Sequence, residues 1–413
     1  MTTQLDTLKA RFEEAKAENL DLDMRRGKPG PEQLDLSLAM LDLVTADDYR
    51  TATGDDPRNY GGLDGIPEMK SFFKEFLEVS SEAEVVIGGN SSLTLMHDTV
   101  ARAMSHGVAG SEKPWGKLDK VKFICPSPGY DRHFAICEHF GIEMITVDID
   151  ADGPNMEQVE ALVKADDSIK GIWVVPKYAN PTGLTVSEEV VYRLANMTTA
   201  ANDFRIFWDN AYAVHHLNEE GDALANILEA CKAANQADRV FIFGSTSKIT
   251  FAGSGVSAVA GSENNMEWLR GHLAFQTIGP DKLNQVRHMR FFKDFNGLKE
   301  HMKKHAAIIK PKFDAVLEVL ERELGGKGLA NWTNPNGGYF ISLDLNEGQA
   351  KKVVALANEL GVKLTGAGAT FPYKNDPKDS NIRLAPTYPS IEEIKKAMEV
   401  VCLCVELAAS SEA

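Results

Sequence analysis

Lys248 stands in Gly244-Ser245-Thr246-Ser247-Lys248, directly after the apolar run Val240-Phe241-Ile242-Phe243. An amine placed just past a buried strand, among small hydroxyl side chains, loses part of its hydration. That placement suits a lysine that forms Schiff bases. A surface lysine in a serine loop would read the same from this string alone. Two upstream segments have the same build. Val174-Val175-Pro176-Lys177-Tyr178-Ala179-Asn180-Pro181-Thr182-Gly183 and Phe204-Arg205-Ile206-Phe207-Trp208-Asp209-Asn210-Ala211-Tyr212 each run apolar and then stop at a polar constellation. Read as parallel strands, the three segments deliver Asn180, Asp209 and Lys248 to the carboxyl ends of one sheet, where open α/β sheets bind ligands. A fourth, Val85-Val86-Ile87-Gly88-Gly89-Asn90-Ser91-Ser92-Leu93, passes from a strand through glycines into a helical stretch. Backbone N–H groups at such a helix start make an anion site. Each piece has a plainer reading: Asp209 as a helix N-cap, Asn-Pro-Thr-Gly and Gly-Gly-Asn as turns. Their order along one chain is what gives them weight.

The elements that must position these residues follow from periodicity. Strands are expected at 121–124, 143–147, 171–175, 204–208 and 240–243, and helices at 92–105, 131–140, 156–164, 187–202 and 223–235. This alternation implies an α/β fold with a mostly parallel sheet covered by helices. Leu5, Leu8, Phe12 and Ala15 give residues 4–18 the spacing of an amphipathic helix, and residues 25–60, rich in Gly, Pro and Asp, read as a long crossing segment. After residue 300 the pattern changes to a long helix at 298–324, a strand at 339–343, a helix at 348–360, a short strand at 362–365 and a closing helix at 390–407. Residues 51–300 are therefore expected to form a large domain. Residues 1–50 contribute to a smaller α/β domain completed by 301–413.

Composition narrows the function. At 413 residues the chain exceeds one simple core. Its net charge of −16 argues against nucleic acid as a partner. No apolar stretch approaches the length of a membrane span, and no basic-then-apolar leader is visible at Met1-Thr2-Thr3-Gln4-Leu5-Asp6. Five scattered cysteines imply free thiols in a reducing compartment, so a cytoplasmic location is expected. No His/Cys/Asp/Glu cluster has metal-ligand spacing, and the adjacent His215 and His216 read as structural.

Asn-Pro-x-Gly, then Asp-x-x-Tyr, then Ser-x-x-Lys, in this order, resembles the fold-type-I aminotransferases dependent on pyridoxal phosphate. The whole chain looks like a divergent branch of the aspartate aminotransferases. The resemblance implies a set of roles. Lys248 carries the cofactor and moves the substrate's α-proton. Asp209 faces the pyridine nitrogen, and Asn180 and Tyr212 hydrogen-bond the phenolic oxygen. Gly89, Asn90 and Ser91 hold the phosphate, with Ser245 and Ser247 adding hydroxyl donors. Tyr60, in Asn59-Tyr60-Gly61, matches a tyrosine that reaches the neighbouring subunit's phosphate, which implies a homodimer with shared sites. Arg383, in Asn381-Ile382-Arg383-Leu384-Ala385-Pro386, matches the arginine that grips the substrate's α-carboxylate, and Gly27 lies in a segment resembling the one that closes over substrate.

Two departures stand out. Relatives carry a phosphate-binding arginine eight residues after the lysine; this chain has Val256, and Ser254 or Lys282 are candidates to compensate. The ring-stacking aromatic is shifted, and Tyr130, in Pro128-Gly129-Tyr130-Asp131-Arg132-His133, is the one ring available there. The implied reaction moves an amino group between aspartate and 2-oxoglutarate, with Arg25 and Arg26 as candidates for the side-chain carboxylate. The alternatives are another reaction of the same cofactor, such as a carbon–sulfur lyase or an aminocyclopropane-carboxylate synthase, or a regulator that binds the cofactor.

Overall fold

The structure, a computed structural model, describes residues 4–410. Its centre is a seven-stranded sheet in the order Val85–Ile87, Ser257–Gly261, Val240–Ser245, Arg205–Asp209, Ile169–Val174, Lys122–Pro126 and Glu143–Val147. Ser257–Gly261 runs antiparallel to both neighbours, and the remaining pairs are parallel. The central strands are buried at every position, as a sheet covered on both faces requires. Alternate residues feed two separate cores. Ile206, Trp208, Val240 and Ile242 face one, whereas Phe207, Phe241 and Phe243 face the other, where they pack with Phe123 and Trp173.

The expected strands and helices are present, with ends that shift for physical reasons. The helix expected over 187–202 stops at Glu188–Asn196 because the buried Arg239 Nη1 donates to the carbonyls of Leu194, Ala195 and Met197, at 3.4, 2.8 and 2.9 Å. The long helix begins earlier than expected, at Phe295, where the Asp294 side chain accepts from Gly297 N at 2.8 Å. This helix, Phe295–Leu324, passes from one core to another: Leu298 and Met302 join the first, and Phe313, Val316 and Leu320 join a third. Pro311 lies near the crossing.

The third core packs Leu8 and Phe12 of the helix Gln4–Ala17 with the helices Ala350–Glu359 and Ile391–Ser410 and a three-stranded antiparallel sheet, Ala330–Trp332, Ile341–Leu345 and Asn381–Leu384. Leu22–Asp23 pairs in parallel with Val362–Lys363, which ties the chain's beginning to its end. Between them, the crossing segment contains two short helical turns, Pro31–Asp35 and Leu38–Asp42. No helix among the described residues is long and apolar enough to cross a membrane.

Candidate active site

The carboxyl ends of the parallel strands open into a cavity of about 510 Å³. Asn180, Asp209, Tyr212, Ser245, Ser247 and Lys248 all line it, delivered from three neighbouring strands. Gly27, Ser91, Tyr130 and Arg383 line it as well. Tyr60 does not: it is 81% exposed on the surface. Gly89 and Asn90 border an adjoining cavity of about 200 Å³.

Lys248 is half-buried, and desolvation pushes its amine below the ordinary lysine value, opposed by the charge of Asp209. Its Nζ lies 5.2 Å from the centroid of the Tyr212 ring. Asp209 is 2% exposed and ends its strand. One carboxylate oxygen, Oδ2, lies 2.9 Å from His133 Nε2, but Oδ1 has no donor among the described residues. An ionised oxygen buried without a donor is expensive, so this atom calls for a positively polarised N–H from a bound group. His133 stacks on Trp173, with ring centroids 4.4 Å apart and planes 8° apart, and Tyr130 meets His133 edge-on at 4.9 Å. Burial pushes the hydroxyls of Tyr212 and Tyr130 above their usual range.

Arg383 comes from a different core, on Asn381–Leu384. Its Nη1 donates to Asp131 Oδ1 at 2.9 Å and to Asn180 Oδ1 at 3.2 Å, and its plane lies 4.9 Å from the Phe340 ring centroid. Its buried Nε has no partner among the described residues. Because Asn180 accepts through Oδ1, its amide nitrogen remains available as a donor. Gly27 crosses Phe340 so closely that a Cβ there would sit 2.4 Å from the ring, so only glycine fits this approach.

At the start of the helix Ser92–His106, Ser91 Oγ accepts from Leu93 N at 3.2 Å. Ser245 Oγ donates to Ser247 Oγ at 3.0 Å, and Ser247 Oγ donates to the Asn90 carbonyl at 2.8 Å, which joins the two serine loops. Val256 is buried; its N donates to Thr246 Oγ1 at 2.9 Å and its carbonyl accepts from Thr246 N at 2.8 Å, and its side chain offers no charge here. Of the candidates to compensate, Ser254 borders the smaller cavity, whereas the Lys282 side chain runs past Gly62, beneath the Tyr60 segment. Arg287, which sequence reasoning did not single out, borders the smaller cavity beside Gly89, Asn90 and Val256.

Sequence reasoning also missed His133 and Arg132. Arg25 is engaged by Asp23 through Nε and Nη2 at 3.0 and 2.6 Å, whereas Arg26 and Arg132 line the cavity without a carboxylate partner among the described residues. Six cationic side chains line the cavity against the carboxylates of Asp131 and Asp209 alone, in a chain of net charge −16. The site thus suits an anionic cofactor together with an anionic substrate. Among the described residues, no group of three or more His, Cys, Asp or Glu could hold a metal ion.

A family model described as aspartate amino-transferase matches residues 1–413. An aspartate aminotransferase of Corynebacterium glutamicum is 49% identical over 405 residues, covering 98% of this chain and 93% of its own. A crystal structure of an aspartate transaminase from the same species superposes with a TM-score of 0.96 at 48% identity, covering 99% of this chain and 96% of that one. The α-aminoadipate aminotransferase of Thermus thermophilus, solved with N-(5'-phosphopyridoxyl)-L-leucine, is 20% identical with a TM-score of 0.75 over 98% of both chains, and shares the fold.

Proposed function

The chain belongs to the aspartate aminotransferase family, and we propose that it moves an amino group between aspartate and 2-oxoglutarate using pyridoxal phosphate joined to Lys248. One observation carries this reading. A desolvated amine at Lys248, an undonated carboxylate oxygen at Asp209 and the guanidinium of Arg383 meet in a single cavity.

These residues fit the cofactor. Pyridoxal phosphate, when bound, supplies an electron sink that lets an amino acid's α-carbon give up its proton. Asp209 Oδ1 would accept the pyridine N–H, while His133 fixes the carboxylate from its other oxygen. Asn180, through its amide nitrogen, and Tyr212 would donate to the phenolic oxygen. Tyr130 would support the ring. Ser91, Ser245, Ser247 and the N–H groups at the helix start would hold the phosphate, with Gly89 and Asn90 shaping the loop. Burial keeps a larger share of the Lys248 amine neutral than in water, which favours both joining the cofactor and taking the substrate's α-proton at Nζ. Arg383 orients the substrate through its α-carboxylate, and the Gly27 segment covers it from above.

Arg383→Lys keeps the charge but loses the planar fork. It raises KM for the amino donor and the oxo-acid acceptor alike, by about tenfold or more for a lost bidentate contact, with cofactor retention unchanged. Steady-state kinetics with alanine beside aspartate separate the roles. Arg132 and Arg26 are read as partners of the side-chain carboxylate, so replacing them raises KM for dicarboxylates only. A defect confined to dicarboxylates in the Arg383 variant would assign it to the distal group instead.

We read residues 51–300 as the cofactor-holding domain and residues 1–50 with 301–413 as the smaller one, a division supported by separate cores on either side of the helix Phe295–Leu324. Five buried, unpaired thiols support a reducing, cytoplasmic setting. The functional unit is read as a two-fold homodimer. Tyr60 is 81% exposed beside Ile278, which is 62% exposed, and Gly61 N donates to Ile278 O at 3.4 Å. A partner covering this apolar pair would bring Tyr60 to its own cavity. Mixing Tyr60→Ala with Lys248→Ala then restores part of the activity, because one site in the mixed dimer keeps both residues. No recovery after demonstrated subunit exchange would put Tyr60 outside the partner's site.

A further inference from the structure

Residues 246–250 form a single turn, in which Ile249 N and Thr250 N both donate to Thr246 O at 2.9 Å. Such a turn leaves its last carbonyls without backbone partners. Side chains from far along the chain supply them. The Tyr339 hydroxyl donates to Lys248 O at 3.3 Å. Nε2 of His301 and Nε2 of His305 each lie 2.9 Å from Ile249 O and 3.1 Å from one another, an arrangement served by a proton on His305 Nε2. Nδ1 of His305 is then an acceptor, and Gln33 Nε2 lies 3.2 Å away. The same Gln33 nitrogen donates to the Tyr339 oxygen at 2.9 Å. Gln33 Oε1 accepts from Gly30 N at 3.1 Å, which fixes the orientation of the amide. Gln33, Tyr339 and His305 are buried, and burial pushes His305 down to about 4, consistent with a neutral ring that accepts at Nδ1.

Gly30 lies two residues beyond the cavity-lining residues 25–28, with Pro29 between. The same segment has a second link to this network. Gly27 lies against Phe340, which also packs under Arg383, and Phe340 is the neighbour of Tyr339. One residue of that pair therefore touches the substrate-facing arginine and the other holds the carbonyl of the lysine. Nothing in a fold-stabilising role requires this particular connection, since any donors would satisfy the two carbonyls.

We propose that Gln33 and Tyr339 are positioning residues that tie the Lys248 peptide to the cavity-lining segment 25–30, so that the placement of the lysine follows that of the segment. The proposal rests on the reading of Lys248 as the cofactor lysine. A carboxylate bound near Gly27 and Arg383 then changes the surroundings of Lys248 through Gln33 and Tyr339.

The test uses the cofactor-loaded protein, Tyr339→Phe, Gln33→Met and the double variant. The readouts are the pH midpoint of the cofactor's visible absorbance, with and without the unreactive dicarboxylate succinate, and the separate values of kcat and KM. Succinate shifts the midpoint in the wild type, and each variant loses at least about half of that shift, with kcat down about tenfold and KM within about threefold. The double variant is no worse than the worse single one, because both act in one chain of contacts. Tyr339→Phe removes one oxygen and keeps the ring packed on Tyr212, so it carries the test alone if Gln33→Met fails to fold. An absent wild-type shift, an unchanged shift in Tyr339→Phe, or additive losses in the double variant would overturn the proposal. A borohydride label away from Lys248 in the wild type would instead sink the underlying reading of the lysine.

Discussion

Lys248→Ala lowers turnover by at least three orders of magnitude, about 4 kcal/mol at ~1.4 kcal/mol per decade of rate. The size follows from two tasks falling on one atom. On the proposed function the amine would hold the cofactor, and as a free base it would be the group within the cavity placed to take the substrate's α-proton. Neither Asp209 nor Tyr212 can replace it: the carboxylate is held by His133, and burial pushes the Tyr212 hydroxyl further from ionisation. The substitution leaves a smaller, apolar side chain in a half-buried place and removes a desolvated amine, so the fold survives. Borohydride reduction of the loaded wild type followed by peptide mapping places the label on Lys248. The alanine variant still takes up cofactor through the remaining contacts but gives no stable label. A label on another lysine, or a variant retaining a tenth of the wild-type rate, would end the assignment.

Why this lysine was legible, and some of its neighbours were not, comes down to chain distance. Asp209 ends a buried strand, and Lys248 and Asn180 stand in the loops that leave two others, so local composition announces them. The parallel order of those strands then brings them into one cavity. His133, by contrast, is one helical residue among several, and its significance comes from Asp209, 76 positions away. Gln33 and Tyr339 are separated by 306 positions, and neither stands in a local pattern that suggests a link to Lys248. Arg132 was in view beside Tyr130. Only the structure shows that Arg25 is spent on Asp23 while Arg132 is not.

The fold divides in the same way. Runs such as Ile169–Val174 and Arg205–Asp209 are apolar enough to read as buried strands, and the helices between them carry clear stripes. Ser257–Gly261, with the sequence SAVAG, has few β-formers. It is a strand because it closes the gap between Val240–Ser245 and Val85–Ile87, a tertiary reason without a local signal. Helix ends shifted where a distant side chain such as Arg239 supplied the cap.

Asp209→Asn separates structure from function at the other pole of the site. The carboxylate is 2% exposed, with one oxygen bonded to His133 and the other without a donor. A charged group in that state costs stability, at about 1–3 kcal/mol or more for the missing hydrogen bond. An asparagine of the same shape keeps an oxygen or an amide for His133 and carries no charge. The cofactor-free variant is therefore at least as stable as the wild type in urea unfolding. The loaded variant loses about three orders of magnitude in rate, about 4 kcal/mol, because a neutral amide cannot keep the pyridine nitrogen protonated. Asp209→Glu, which restores the charge at a displaced position, recovers part of the loss. Opposite signs in stability and rate are the mark of a charge kept for chemistry. If the asparagine variant were less stable and kept more than a tenth of its rate, Asp209 would be a structural partner of His133, and the pyridine nitrogen would need another acceptor.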